Sequence, residues 1–275
     1  MQFKNKKLDL TIPRVMGILN VTPDSFSDGG KFEGRDSALA QAETMILEGA
    51  DFIDVGGEST RPGAEEVSIQ QELDRTIPVI EAINANFDVV ISIDTSKPEV
   101  MQHAVAAGAG LINDIRALEQ TGALAAAAQS GAAVCLMHMQ GQPKSMQQAP
   151  SYQDVVKEVT EFLQAKIDLC VQGGIAKSKL MIDPGFGFGK TLPHNYQILD
   201  RLNEMQELDL PMLIGISRKS MIGNLLNRDV NDRLAGSLAA ATIALTKGAS
   251  ILRVHDVKQT VDAVKVVLAL STYKD

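Results

Sequence analysis

Eight short apolar runs, each followed by a stretch with helical spacing of its apolar positions, divide this chain into a repeating pattern. The runs fall near residues 14–19, 52–56, 89–94, 110–113, 133–138, 179–183, 212–216 and 250–254. The helical stretches fall near 36–49, 70–85, 98–107, 121–130, 152–173, 195–206, 232–247 and 257–270. Several runs are apolar throughout instead of alternating, as parallel strands covered on both faces are. Strands and helices in alternation, joined by right-handed connections, build a parallel sheet. Eight such units predict an α/β fold, a single (β/α)8 TIM barrel over 1–275, a length typical of one barrel domain. An open doubly wound sheet would carry a glycine-rich dinucleotide fingerprint at its first strand–helix turn. Here that turn reads Asn20-Val-Thr-Pro-Asp-Ser-Phe-Ser-Asp-Gly-Gly30, which does not match. The connections after strands 1, 2 and 5 are longer than a plain barrel needs: Asn20 to about Gly34, Gly56 to Gly63, and roughly Gln140 to Ser151. Long loops in compact domains tend to carry function; for the third, surface decoration is the competing reading.

The polar residues that close these runs point to the chemistry. Asn20, Asp94, Asn113, Asp114, His138 and Asp183 each end an apolar run, as do Ser217-Arg218-Lys219 and Arg253-Val-His255. In a TIM barrel such strand ends meet at one mouth, where the active site lies. Leu180-Met-Ile-Asp183-Pro-Gly-Phe-Gly-Phe188-Gly-Lys190 is the clearest case, an acid where a buried strand enters a glycine-rich turn. A carboxylate in that position is costly unless something pairs with it. Gly189-Lys190-Thr191 imitates the end of a phosphate-binding P-loop, but the first glycine of that motif would fall on Pro184. The P-loop is rejected, and Lys190 reads as a solvated loop cation. Ser217-Arg218-Lys219-Ser220, just beyond strand 7 and leading into helical residues, is the better anion site. Arg218 suits pairing with acidic neighbours, whereas Lys219 is expected to face the mouth.

Composition narrows the partners. The 275 residues carry a net charge of −8 with a pI near 5.1, so no broad basic field exists for nucleic acid or an anionic membrane. An anionic substrate must be caught by a few local cations. Cys135 and Cys170 lack metal-site spacing and read as buried free thiols in a reducing compartment. With no signal-peptide core behind Met1 and no apolar run long enough for a membrane span, a cytoplasmic protein is expected. Ala123 to Ala128, between Gly122 and Gly131, reads as a well-packed helix.

Asn20-Val-Thr-Pro-Asp-Ser-Phe-Ser-Asp-Gly-Gly and Asp54-Val-Gly-Gly-Glu-Ser-Thr-Arg-Pro-Gly resemble the pterin-binding barrel family, in its bacterial dihydropteroate synthase branch. Ser92-Ile-Asp-Thr, Ile112-Asn-Asp, Asp183-Pro-Gly-Phe-Gly-Phe-Gly-Lys, Gly215-Ile-Ser-Arg-Lys-Ser and Arg253-Val-His-Asp continue the match in order, from about Pro13 to the C-terminus. The resemblance implies condensation of 6-hydroxymethyl-7,8-dihydropterin diphosphate with p-aminobenzoate, giving 7,8-dihydropteroate and diphosphate for folate synthesis.

It also implies residue roles. The pterin would be bound by Asp94, Asn113, Met137, Asp183, Phe188, Lys219 and Arg253. Asp183 would take the ring's paired N–H donors, and Arg253 would stack on its face. Thr60, Arg61, Arg253 and His255 would hold the diphosphate. Phe26, Thr60, Pro62, Phe188, Lys219 and Ser220 would enclose p-aminobenzoate. Mg2+, on Asn20 and substrate oxygens, would assist a dissociative displacement governed by positioning and charge stabilisation. In that scheme Asp94, Lys219, Arg61, Arg253 and His255 are the catalytic groups. The family further implies a homodimer through the late helices and a sulfonamide target. Competing functions are pterin-dependent methyl transfer in the same barrel family, which needs no diphosphate pocket, and a catalytically silent pterin-binding relative, which would lack Thr60-Arg61, Asn20 or Lys219.

Overall fold

Each apolar run becomes a parallel strand: β1 (Arg14–Asn20), β2 (Phe52–Gly56), β3 (Val90–Asp94), β4 (Leu111–Asp114), β5 (Ala133–Met137), β6 (Leu180–Asp183), β7 (Leu213–Ile214) and β8 (Ile251–Val254). The structure, a computed structural model, describes residues 1–22, 31–58, 67–142 and 146–272, apart from the side chains of 31–33 and 271. The strands pair in the order β6-β5-β4-β3-β2-β1-β8-β7. A bridge between Ile182 and Met212 joins β6 to the entry of β7 and closes the ring.

The helices are α1 (Lys31–Leu47), α2 (Ile69–Asn86), α3 (Pro98–Ala107), α4 (Ala123–Ser130), α5 (Val155–Gln172), α6 (Leu192–Asp200), α7 (Ser220–Leu226), α8 (Leu234–Thr246) and α9 (Val257–Thr272). The alanine-rich segment is α4 as expected, started by Gly122 and stopped by Gly131, both left-handed (φ 88° and 66°). The stretch expected at 195–206 differs. Helix α6 begins earlier, at Leu192, because Pro193 sits in the first turn, where its missing N–H is harmless. It ends at Asp200, and a 3-10 segment, Leu202–Leu208, follows. Between them Arg201 is held by Asp154 and Glu204.

The barrel interior explains where the site can be. Phe3, Met16, Phe52, Val90, Leu111, Ala133, Cys135, Met181, Leu213 and Ile251 form one apolar cluster drawn from all eight strands and the N-terminal segment. An antiparallel hairpin of Gln2–Phe3 with Lys6–Lys7, which the sequence pattern does not predict, places Phe3 edge-on to Phe52 with ring centroids 5.1 Å apart. Burying that ring contributes about 1.5–3 kcal/mol. The hairpin packs tightly on Gly110, where a Cβ would stand 3.1 Å from the Phe3 backbone.

Every second residue of a strand faces the same side, so the inward positions can be read upward from this plug. Asp54 follows Phe52, Ser92 and Asp94 follow Val90, Asn113 follows Leu111, Asp183 follows Met181, and Arg253 follows Ile251. The interior therefore passes from apolar to polar within one or two steps on several strands. The outward residues, such as Leu19, Ile53, Ile93, Ile112 and Ile182, join Ile80, Met101 and Leu163 of the helices in a second, larger core. Cys135 and Cys170 are both buried and unpaired as thiols, in agreement with the sequence. Among the described residues no helix is long and apolar enough to cross a membrane.

Candidate active site at the barrel mouth

Arg253 is the hub of the polar interior. Its Nε donates to Asp54 Oδ2 at 2.6 Å and its Nη2 to Asp94 Oδ2 at 2.7 Å, tying β8 to β2 and β3. Asn113 Nδ2 donates to the same Asp54 oxygen at 3.3 Å. Burial works against the Arg253 charge, but Asp54 and Asp94 hold it protonated well above its ordinary range. Burial pushes the Asp94 carboxyl up to about 7, with Arg253 opposing the shift and Asp54 adding to it. The buried Asp54 Oδ1 and Ser92 Oγ have no hydrogen-bond partner among the described residues. Sequence reasoning placed Arg253 in the site but missed Asp54 as its counter-ion. The signal was there, since Phe52, Asp54 and Gly56 lie on one face of β2.

Across the mouth, Asp183 ends β6 and is 5% exposed. Its Oδ1 accepts the Gly185 N–H at 2.7 Å. Burial raises its pKa, while Lys219, Gly185 and Lys190 work the other way. The turn beyond it is built on glycines with left-handed φ: Gly185 (70°), Gly187 (80°) and Gly189 (59°). A Cβ on Gly185 would stand 1.9 Å from the His138 carbonyl oxygen, and one on Gly189 2.3 Å from that of Gln140. Backbone thus packs directly on backbone, which only glycine allows.

Lys190 corrects the sequence reading. It is not solvated but 3% exposed, with Nζ folded under the turn. It donates to Gly185 O at 2.9 Å and Phe188 O at 3.0 Å and lies 2.9 Å from His138 Nδ1. Burial and the neighbouring ammonium depress the His138 pKa to about 2, so the ring is neutral and Nδ1 accepts.

Lys219 and Phe188 come together as expected. The ammonium donates to Phe186 O and sits 4.7 Å from the centre of the Phe188 ring. Burial lowers its pKa to about 8, against the pull of Asp183. Arg218, left-handed at φ 55°, pairs with Asp256 through Nε and Nη2, so it is the ion-paired neighbour that the sequence indicated. Ser217 Oγ lies 3.1 Å from His255 Nδ1 and accepts the His255 backbone N–H, which links the loops after β7 and β8. His255 and Ser220 are exposed. Met137 is buried at the top of β5, beside Asp183 in the parallel register.

Asn20 ends β1 with an exposed side chain. Beside it lies Gly56, where a Cβ would make ordinary contact with Asn20 Oδ1 at 3.6 Å and Asp94 Oδ2 at 3.8 Å. Asp94 Oδ2 already accepts from Arg253, so the exposed Asn20 amide oxygen is the hard oxygen here that could join water and substrate oxygens around a divalent ion. Among the described residues no cluster of three His, Cys, Asp or Glu side chains forms a metal cage. Phe26, Thr60, Arg61 and Pro62 lie outside the described residues. Flanking that second segment, Glu58 accepts the Val67 N–H, and Lys97 binds both Glu58 and the buried Glu72.

An eight-stranded barrel whose interior below the mouth gathers three inward carboxylates, an amide, a guanidinium and an ammonium has the form of a TIM-barrel enzyme. The family model for pterin binding enzymes matches residues 16–255. Dihydropteroate synthase of Escherichia coli (strain K12) is 59% identical over 268 residues, covering 98% of this chain and 95% of that protein. The Yersinia pestis dihydropteroate synthase, solved with a sulfonamide drug complex, superposes with a TM-score of 0.95 at 56% identity, covering 99% of each chain. The Xanthomonas albilineans dihydropteroate synthase, solved with 4-aminobenzoic acid, gives 0.92 at 51% identity, covering 97% of this chain and 96% of that one. The chain belongs to the pterin-binding enzyme family, on its dihydropteroate synthase branch.

Proposed function

We propose that this mouth condenses 6-hydroxymethyl-7,8-dihydropterin diphosphate with p-aminobenzoate, releasing diphosphate and forming 7,8-dihydropteroate. The observation that carries the reading is Asp183, a carboxylate fixed by Gly185 at a strand end, with Asn113 and Asp94 on the facing strands. A pterin presents an N–H/NH2 edge that a carboxylate accepts through two parallel hydrogen bonds. Asn113 and Asp94 would serve the remaining ring nitrogens, and Lys219 would donate to the ring carbonyl. Asp94 would also balance positive charge as the bond to diphosphate lengthens. Arg253, already engaged by Asp54 and Asp94, would cover the ring from below and bring its field to the diphosphate.

His255, with Thr60 and Arg61 from the loop after β2, would complete the diphosphate site. Phe188, Lys219 and Ser220 would receive p-aminobenzoate, with Phe26, Thr60 and Pro62 closing over its ring and Met137 forming part of the pterin wall. Mg2+ would be held by Asn20 and substrate oxygens, and when bound there it would supply charge neutralisation to the departing diphosphate. Methyl transfer is not favoured, because the similar proteins named above are synthases along nearly their whole length.

The test is product formation from the pterin diphosphate, p-aminobenzoate and Mg2+, followed against pH. Asp94, raised to about 7, must lose its proton to accept donors, while Lys219, lowered to about 8, must keep its own. The profile of kcat/KM, which reports free-enzyme groups, should therefore rise as pH climbs through about 7 and fall beyond about 8. Asp94→Asn should abolish the acid limb. No dihydropteroate at any pH would defeat the reading, and a flat profile from pH 6 to 9 would defeat the roles of Asp94 and Lys219.

Helices α7, α8 and α9 expose Leu225, Leu226, Ile243, Val266 and Leu270, which supports the proposed homodimer through the late helices. Sedimentation equilibrium should return twice the chain mass, and a monomer at assay concentrations would remove the dimer. The buried free thiols support a reducing, cytoplasmic setting.

A further inference from the structure

We propose that Lys190 is a positioning residue for both substrates, a buried cation that sets the 185–189 turn from behind and acts through Asp183, Phe188 and Lys219. The inference rests on the pterin and p-aminobenzoate reading given above. Four acceptors converge on one ammonium: Gly185 O and Phe188 O at 2.9 and 3.0 Å, His138 Nδ1 at 2.9 Å, and more distantly His138 O at 3.4 Å. Burial pushes the Lys190 pKa well down, while the acceptors gathered around Nζ favour its protonated form, whose three protons the three near acceptors can take.

The atoms so held are the ones the site depends on. Gly185, whose carbonyl Lys190 binds, donates its N–H to Asp183 Oδ1. Phe188, whose carbonyl Lys190 also binds, carries the ring under the Lys219 ammonium. Between them, the carbonyl of Phe186 accepts from Lys219. His138 anchors the arrangement to β5, its ring edge-on to Phe162 with centroids 4.9 Å apart. Asn195 Oδ1 on the Gly187 N–H and the Tyr152 hydroxyl on the Gly189 carbonyl also hold the turn, and Lys190 adds the link from beneath that joins Gly185 to Phe188. One buried amine thus links the pterin carboxylate to the aminobenzoate wall.

Lys190→Met keeps the length and the apolar stem and removes the donors. It should raise the Kd for 6-hydroxymethylpterin about tenfold or more and the KM for p-aminobenzoate severalfold, with kcat changed less, as lost preorganisation of binding would do. A purely structural lysine would lower the melting temperature while the folded molecules bound pterin as before. Unchanged Kd and KM in folded Lys190→Met would overturn the proposal. His138→Phe, which retains the packing on Phe162 and removes one acceptor, decides the matter if Lys190→Met fails to fold. A smaller rise of about threefold in the same Kd is expected, and an unchanged Kd counts against the clamp. Asp183→Asn is measured alongside. If it also leaves pterin binding intact, the reading of the site is at fault; if it alone abolishes binding, only the Lys190 inference falls.

Discussion

Asp183→Asn is expected to weaken pterin binding on the order of tenfold to a hundredfold or more while leaving the barrel folded. The carboxylate ends a strand, is 5% exposed, and uses Oδ1 to accept the Gly185 N–H. An asparagine can keep that backbone contact through its own oxygen. It would then turn an NH2 group, a donor, toward the donors of the ring, and one charge-assisted bond would become a clash of like dipoles. Losing a hydrogen bond to a charged group costs about 1.5–3 kcal/mol, which is the affinity loss given above. Stability should not suffer, because burial already disfavours the ionised carboxyl. Calorimetry with 6-hydroxymethylpterin and a melting curve are sufficient. Wild-type affinity in a mutant of unchanged melting temperature would remove Asp183 from the site.

Arg253→Met should do the opposite, striking the fold as well as the chemistry. Asp54 is fully buried and Asp94 nearly so, and the same guanidinium holds them both. Removing one partner of a buried ion pair costs about 3–5 kcal/mol, because a charge is left without compensation. For a domain of this size that corresponds to a fall in melting temperature of roughly 6–20 °C. Arg253→Lys should recover little, since a single ammonium cannot reproduce the fork that serves two carboxylates. Arg253→Met with Asp54→Asn should regain much of the stability and none of the activity. If the single mutant melts like the wild type, the cluster is not a unit and Asp54 must find its compensation elsewhere.

Much of this architecture was legible in the sequence because a barrel repeats one simple signal. Apolar runs such as Val89–Ile93 and Met181–Ile182 are buried on both faces, and each ends in the polar residue that reaches the mouth. The ladder of Asp94, Asn113 and Asp183 could be read from strand ends alone. What escaped was set by contacts between distant segments. The Gln2–Phe3 hairpin is too short to show any periodicity, yet Phe3 fills the barrel floor. Lys190 follows three glycines in a loop, which indicates solvent unless one knows that four acceptors surround it. Asp54 hid inside an apolar run because the arginine that satisfies it lies 199 residues away. Linear pattern reports which way a side chain alternates, not who meets it.

The close packing of the 185–189 turn on residues 138–140 bears on how this enzyme can adapt. At Gly185 and Gly189 any side chain would enter a neighbouring carbonyl at 1.9 or 2.3 Å, so substitution there breaks the fold before it alters recognition. Phe188 projects from the same turn and is only half-buried, so its identity can drift while the frame stays fixed. An inhibitor that draws its affinity from the backbone of this turn and from Asp183 would leave few viable routes to resistance. One that leans on the Phe188 ring, or on the side chains beyond it, leaves many.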